Sequence, residues 1–199
     1  MITLIFATNN LHKVQEVQSV LQNTIKIVSL KEACIEKEIP EPFDTLEENA
    51  QTKSETIYQL TQTNCFSEDT GLEIEALNGE PGVRSARYAG ETAQFEDNVQ
   101  LVLDKMTDHS NRVAQFRTVI SLIWNDNRYL FEGICKGVIT TCTSGEKGFG
   151  YDPIFIPDGS TKTFAEMTMA EKNLYSHRRK ALDKLLLFLS QNGKELSLF

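Results

Sequence analysis

Ile2-Thr3-Leu4-Ile5-Phe6-Ala7 leads into Thr8-Asn9-Asn10, after which Val14, Val17, Val20 and Leu21 recur at helical spacing ahead of Ile25-Lys26-Ile27-Val28. The first six residues are almost continuously apolar, as in a buried strand, and the polar triplet is a turn into an amphipathic helix. Strand, loop, helix and strand make a β-α-β unit, the building block of α/β sheets. Further along, Pro40 and Pro42 mark a loop, and Thr45 with Glu48 forms a capping box ahead of a helix running to about Leu60. Cys65-Phe66-Ser67 and Leu72-Glu73-Ile74-Glu75-Ala76-Leu77 read as strand pieces flanking a compact Glu68-Asp69-Thr70-Gly71 turn, and Asn78-Gly79 and Pro81-Gly82 turn the chain again. Phe95, Val99, Val102, Leu103 and Met106 line another helix. Val113 to Trp124 and Arg128 to Thr140, separated by Asn125-Asp126-Asn127, carry the pattern of a long β-hairpin. Gly145, Gly148 and Gly150 make a loop before the short strand Pro153 to Pro157. A second capping box, Thr168 with Glu171, starts a helical turn through Lys172, and Leu182, Leu185, Leu186 and Leu189 line a last helix up to Gly193. No repeat, low-complexity tract or linker interrupts this series, so one α/β domain of two lobes is expected, with a ligand cleft between them.

The composition agrees with a globular domain. Of 199 residues, 40% are hydrophobic and 24% charged, enough apolar material for a core without disulfides. Twenty Lys and Arg against twenty-eight Asp and Glu leave a net charge of −8, which disfavours a nucleic-acid or anionic-membrane binder. The N-terminus has no basic leader, and Leu185-Leu186-Leu187-Phe188-Leu189 falls far short of the ~20 apolar residues a spanning helix needs. A soluble, cytoplasmic protein is therefore expected. Cys34, Cys65, Cys135 and Cys142 show no Cys-x-x-Cys spacing and read as reduced packing residues. With only His12, His109 and His177 and no His/Cys cluster, any metal is expected to be a hard ion held by carboxylates.

Several stretches carry candidate chemistry, each with an ordinary alternative. Thr8-Asn9-Asn10, with Lys13 in the next turn, lies where free amides and the helix dipole attract phosphate; equally, one of these residues merely caps the helix. Glu16, one turn in, either orients Lys13 or is an exposed acid. Glu68 and Asp69 in a tight turn suit Mg²⁺ or a water, or simply serve the turn. Glu41 is a second acid able to reach the same metal, in a loop that also holds Glu36, Glu38 and Glu47; Lys53 is either a phosphate contact or solvated. Gly148-Phe149-Gly150-Tyr151-Asp152-Pro153 places an aromatic ring between glycines, where it can stack on a flat base. Glu171-Lys172-Asn173 and Ser176-His177-Arg178-Arg179 gather donors around one helix junction. Together, an anion loop, an acidic centre, an aromatic platform and a donor cluster are the parts of a nucleoside triphosphate site.

These residues resemble the inosine triphosphate pyrophosphatase family, the non-canonical purine nucleoside triphosphate pyrophosphatases. The matching pieces are Ala7-Thr8-Asn9-Asn10 with Lys13 and Glu16; Glu48-Asn49-Ala50 with Lys53; Asp69-Thr70-Gly71-Leu72; Pro81-Gly82 with Ser85-Ala86-Arg87-Tyr88-Ala89-Gly90; Gly148 to Pro153; Phe164-Ala165-Glu166 with Glu171-Lys172; and Ser176-His177-Arg178. Ser85 to Gly90 points to the bacterial-type branch, and Glu68 and Thr70 stand where many members have aspartate and serine. The resemblance implies an elongated, two-lobed single-domain α/β fold with a central mixed β-sheet flanked by helices and a long β-hairpin. It also implies a homodimer, a Mg²⁺ requirement, and hydrolysis of ITP, dITP and XTP to the monophosphate and pyrophosphate. Carried over by position, Thr8, Asn9, Asn10, Lys13 and Lys53 contact the triphosphate and Thr70 the substrate. Asp69 is the proton acceptor and a metal ligand, and Glu41 the second ligand. Phe149, Gly150, Tyr151, Asp152, Lys172, His177 and Arg178 surround the base.

The chemistry fits that assignment. In-line attack of water on the α-phosphorus needs positive charge on the transferring and departing oxygens, and positioning dominates. A carboxylate bound to Mg²⁺ loses basicity, so Asp69 is expected to orient a metal-activated water. A donor-rich pocket suits the 6-oxo group of hypoxanthine and xanthine and rejects the amino group of adenine. Two rivals stand beside this reading: a pyrophosphatase for pyrimidine or otherwise modified triphosphates, and a non-catalytic nucleotide-binding protein.

Overall fold

The computed structural model describes residues 2–21, 25–37 and 39–192, so Glu38 and Gly193 lie outside the described residues. The opening unit is β1 (Ile2–Phe6), α1 (Leu11–Leu21) and β2 (Ile25–Ser29), and β1 pairs with β2 in parallel from Ile2 opposite Ile25 to Phe6 opposite Ser29. After it come α2 (Leu46–Thr61), β3 (Cys65–Ile74), β4 (Pro81–Gly82) and α3 (Phe95–Lys105). The chain then continues through β5 (Val113–Trp124), β6 (Asn127–Ile139), β7 (Phe155–Pro157), α4 (Met169–Asn173) and α5 (His177–Asn192). Among the described residues the strands form one mixed sheet in the order β2-β1-β3-β5-β6-β7, with β4 on β3. β1 runs parallel to β2 and β3, whereas the β3–β4 and β6–β7 pairs are antiparallel. The Thr168–Glu171 capping box forms in full at α4, whereas at α2 the expected box is half made: the Thr45 hydroxyl accepts from the Glu48 amide, but the Glu48 carboxylate accepts from the Thr45 hydroxyl, and among the described residues no bond from the Thr45 N–H completes the box.

The structure corrects the sequence reading in one decisive place. Glu68-Asp69-Thr70-Gly71 is not a turn; it is the middle of β3, a single ten-residue strand. Gly71 is needed for proximity rather than for turning: a Cβ there would sit 2.7 Å from the Gly82 carbonyl oxygen of β4. Three further differences are boundary shifts. β3 ends at Ile74 and residues Glu75–Leu77 form a 3-10 turn; Asp152–Ile154 is another 3-10 turn, so β7 begins at Phe155. The β5–β6 hairpin turns on Asn125 and Asp126 alone, at φ 48° and 65°, and Asn127 already belongs to β6. Positive φ at both central residues is the backbone that matches the twist of a two-residue hairpin, and Asn and Asp tolerate it best.

Two compact units divide the chain. The first comprises the described residues of Met1–Asp69, Thr118–Gly133 and Arg178–Phe199; the second is Thr70–Arg117 with Ile134–His177. β3, β5 and β6 therefore contribute residues to both. In the first unit Phe6 and Phe66 stack with centroids 4.4 Å apart, and Val14, Val17, Trp124, Leu182, Leu185 and Leu189 pack in the same cluster. In the second, Leu72, Ile74, Val102, Met106, Phe155 and Phe164 form the core. Fully burying side chains of this kind stabilises by about 1.5–3 kcal/mol each, which offsets the cost of ordering so long a sheet. Cys65 and Cys135 are packing residues as expected, and burial pushes the Cys65 thiol up to about 12. Cys34 and Cys142 are exposed, so packing does not account for them.

Candidate active site

Because successive side chains of a strand point to opposite faces, β3 delivers its two acids to different neighbours. Cys65, Ser67 and Asp69 face α2: the Cys65 thiol donates to the Ser54 carbonyl, the Ser67 hydroxyl to the Ala50 carbonyl, and Asp69 receives Lys53. Phe66 and Glu68 face the other way, Phe66 onto Phe6 and Glu68 onto Arg178 and Lys13. The alternation that a turn would have erased thus separates one carboxylate from the next.

On the α2 side, Lys53 Nζ lies 2.9 Å from Asp69 Oδ1 and 2.7 Å from Glu41 Oε1. Lys53 and Asp69 are both buried. Burial works against the charge of Lys53, but the Asp69 and Glu41 carboxylates outweigh it and hold the ammonium above its ordinary pKa. Asp69 also moves up, because burial, with Glu41 adding to it, exceeds the pull of Lys53 and Lys13. Asp69 Oδ2 is buried with no hydrogen-bond partner among the described residues. An orphaned carboxylate oxygen beside a second carboxylate is a donor set for a hard divalent cation. Among the described residues no three His, Cys, Asp or Glu side chains gather into a metal cage. Two carboxylates completed by phosphate and water is how Mg²⁺ is commonly held, so the residues present fit that ion.

Glu68, open in the sequence reading to a metal, a water or a purely structural role, is committed to cations of its own unit. Its two oxygens accept from Arg178 Nε at 2.7 Å and Nη2 at 2.8 Å, and Lys13 Nζ lies 3.2 Å away. Arg178 Nη1 donates to Glu16. Glu68, Glu16 and Arg178 are all buried. Burial alone would raise Glu68, yet Arg178 and Lys13 take its carboxyl down to about 2. Arg178, expected near the base, is thus grouped with the α1 and β3 acids, and Lys13 is paired by Glu68.

In the Thr8-Asn9-Asn10 loop the structure shows the capping reading. The Asn10 side-chain oxygen caps α1, accepting from the His12 and Lys13 amides at 3.0 and 3.2 Å, while the Thr8 hydroxyl accepts from the Asn10 amide. Asn9 is exposed at the head of the helix and Thr8 is half-buried. Thr70 is half-buried on β3, one residue past Asp69.

The second unit holds the aromatic and donor candidates. Asp152 Oδ2 accepts from the Phe149 amide at 2.9 Å and from Lys172 Nζ at 2.6 Å. Lys172 Nζ sits 5.4 Å from the Phe149 ring centroid and 5.2 Å from that of Phe164. Gly148 has φ +76°, and a Cβ on it would meet Asp152 Oδ2 at 2.0 Å, so both the backbone and the close approach demand glycine. Gly150 also lies at positive φ, with open space where a Cβ would be. Tyr151 is buried and donates to the Ser85 carbonyl at 2.8 Å, anchoring the loop rather than presenting its ring. His177 is buried, stacked on Phe116 with centroids 4.6 Å apart, and Phe164 lies 6.4 Å away. Phe149, Asp152 and Lys172 are therefore assembled directly, with Phe164 as the ring shared by Lys172 and His177.

Residues to which the motifs assigned no role complete the first cluster. Asn49 is fully buried, and its amide accepts from the Phe43 N–H and donates to the Phe43 carbonyl, both at 3.0 Å. Asparagine is a poor helix former, and its place in the first turn of α2 was the available signal.

A mixed α/β sheet whose third strand carries a carboxylate–lysine centre, followed later in the chain by a glycine-aromatic loop, is shared with relatives of a pyrophosphate-releasing, nucleotide-hydrolysing class. The chain belongs to the Ham1 family, which it matches over residues 4–188. It is 47% identical over 187 residues to a dITP/XTP pyrophosphatase of Flavobacterium johnsoniae, covering 94% of this chain and 97% of that one. A dITP/XTP pyrophosphatase of Porphyromonas gingivalis is 46% identical over 94% of this chain and 96% of its own. Among solved structures, a HAM1 protein from Coxiella burnetii superposes with a TM-score of 0.88 at 36% identity, covering 96% of this chain and all of the other.

Proposed function

We infer that this chain hydrolyses non-canonical purine nucleoside triphosphates, dITP, ITP and XTP, to the monophosphate and pyrophosphate. The observation that carries the reading is the pair of buried Lys53 and Asp69 joined by half-buried Glu41, on a chain 47% identical to a dITP/XTP pyrophosphatase. Water adds to the α-phosphorus as the bond to the bridging oxygen breaks, and pyrophosphate departs opposite it. Asp69 orients that water through Oδ2, the buried oxygen with no partner among the described residues. Lys13 and Lys53 offset charge on the phosphate oxygens, with Thr8, Asn9, Asn10 and Thr70 as further contacts. Mg²⁺ held by Asp69 and Glu41 would supply Lewis-acid charge at the same phosphate. Phe149 offers its face to the purine, and Gly150, Asp152, Lys172, His177 and Arg178 surround the ring or hold what surrounds it. A single catalytic domain is part of the same reading. A cytoplasmic homodimer belongs to the same proposal, on the strength of the family resemblance; among the described residues, no helix is long and apolar enough to cross a membrane.

The test is an assay of dITP, XTP, ITP, dGTP, ATP and a pyrimidine triphosphate, with products separated. Pyrophosphate release from dITP and XTP, at least a hundredfold slower on ATP and abolished by EDTA, is expected. Orthophosphate release, or preference for the pyrimidine, sinks the reading. Gly148→Ala is expected to raise KM for dITP at least tenfold with a smaller change in kcat, because the new methyl displaces Asp152 and with it Phe149 and Lys172. An unchanged KM would show that this loop does not hold substrate.

A further inference from the structure

The acid at position 41 has an unusual setting. It lies between Pro40 and Pro42, on a stretch that belongs to no helix or strand, yet its carboxylate meets a buried lysine at 2.7 Å. The two prolines fix φ at positions 40 and 42 and hold residues 39 and 41 extended, so the short segment moves as a stiff piece. Its placement is then decided by where its end is tied. That tie is Asn49: a fully buried side chain spends both ends of its amide on the backbone N–H and C=O of Phe43. Asn49 and Lys53 are four residues apart on α2 and so share one face of the helix. The same face grips the loop twice, by its backbone through Asn49 and by its carboxylate through Lys53. Lys53 in turn holds Asp69.

We propose that Asn49 is a positioning residue, which sets Glu41 opposite Asp69 by clamping Phe43 to α2. A helix needs no asparagine at this position for its own sake, and a residue serving only the core would be apolar. The proposal rests on the role given to Glu41 under Proposed function. Misplacing a group by an ångström can cost about 10²-fold in rate, and loss of an outer contact to a metal ligand about 10–100-fold.

The experiment is a double-substitution cycle on the full chain with Asn49→Ala, Glu41→Gln and both together. Steady-state dITP hydrolysis is read across Mg²⁺ concentrations, alongside hydrogen exchange of the segment 39–45. Asn49→Ala is expected to lower kcat about 10–100-fold with KM changed less than threefold, and to raise the half-saturating Mg²⁺. Exchange over 39–45 should speed up while that over β3 is unchanged. In the Glu41→Gln background the same substitution should cost less than threefold, since there is no longer a carboxylate to place. If Glu41→Gln turns over like the parent, the role of Glu41 is wrong and the proposal falls with it. If Glu41→Gln is crippled but the two losses multiply, or Asn49→Ala is fully active, only the positioning role is overturned. Unchanged exchange over 39–45 overturns it as well. Should Asn49→Ala not fold, Asn49→Asp, which keeps the oxygen that accepts from Phe43 N–H, is read in the same cycle.

Discussion

Asp69→Asn is expected to lower kcat for dITP by at least about 10³-fold while leaving the affinity for a non-hydrolysable dITP analogue within threefold. The amide keeps the shape of the side chain, and its oxygen still accepts from Lys53 Nζ, so the α2–β3 packing that positions the site survives. What disappears is the negative charge and the lone pairs at Oδ2, the buried oxygen that has no partner among the described residues. Losing a general base or water-orienting group costs about 10²–10⁴-fold, and here the loss of a ligand for the divalent ion adds to it. Calorimetric titration with the analogue separates the two effects. Equal loss of binding and turnover would mean that Asp69 grips the substrate instead of orienting the water.

Arg178→Met should be the most destabilising single change in the first unit. The guanidinium is shared by Glu68 and Glu16, and all three side chains are buried. Removing the cation leaves two carboxylates in a low-dielectric interior without the guanidinium that neutralised them, and breaking a buried pair in this way costs about 3–5 kcal/mol. The pH dependence gives the sign. In the intact protein Glu68 is held at about 2, below its unfolded value of 4.5, so its contribution is fully present above pH 4.5 and lost as pH falls towards 2. That difference corresponds to on the order of 3 kcal/mol. In Arg178→Met the carboxylates prefer to be protonated, so the gap between the two proteins should be widest near pH 7 and close on acidification. Urea unfolding midpoints at pH 7 and pH 4 measure it. A gap that is constant with pH would assign the loss to packing, not charge.

How much of this was readable beforehand depends on how local each feature is. The β1–α1–β2 unit, the N-caps of α2 and α4 and the β5–β6 hairpin rest on periodicities and contacts within a short stretch of chain, and the amino-acid pattern shows them directly. Glu68 to Gly71 misled because acids, threonine and glycine together have the composition of a turn. The strand persists there because its polar side chains are satisfied from far away: Glu68 by Arg178, 110 positions later, and Asp69 by Lys53 of α2. No local preference records such partners. The packing role assigned to all four cysteines failed for Cys34 and Cys142 for a related reason, since exposure is a property of the assembled fold.

The order of residues by itself determined that this is an α/β protein and which side chains are candidates for phosphate, metal and base chemistry, because those signals are short-range periodicities and closely spaced motifs. Only the tertiary structure decided that Glu68 and Asp69 serve opposite faces of one strand, that Arg178 is held by Glu16 and Glu68, and that Asn49 ties down the Glu41 loop. The reason is electrostatic: a buried charge or amide is tolerated only where a partner meets it, and those partners come from elements that are distant in the chain.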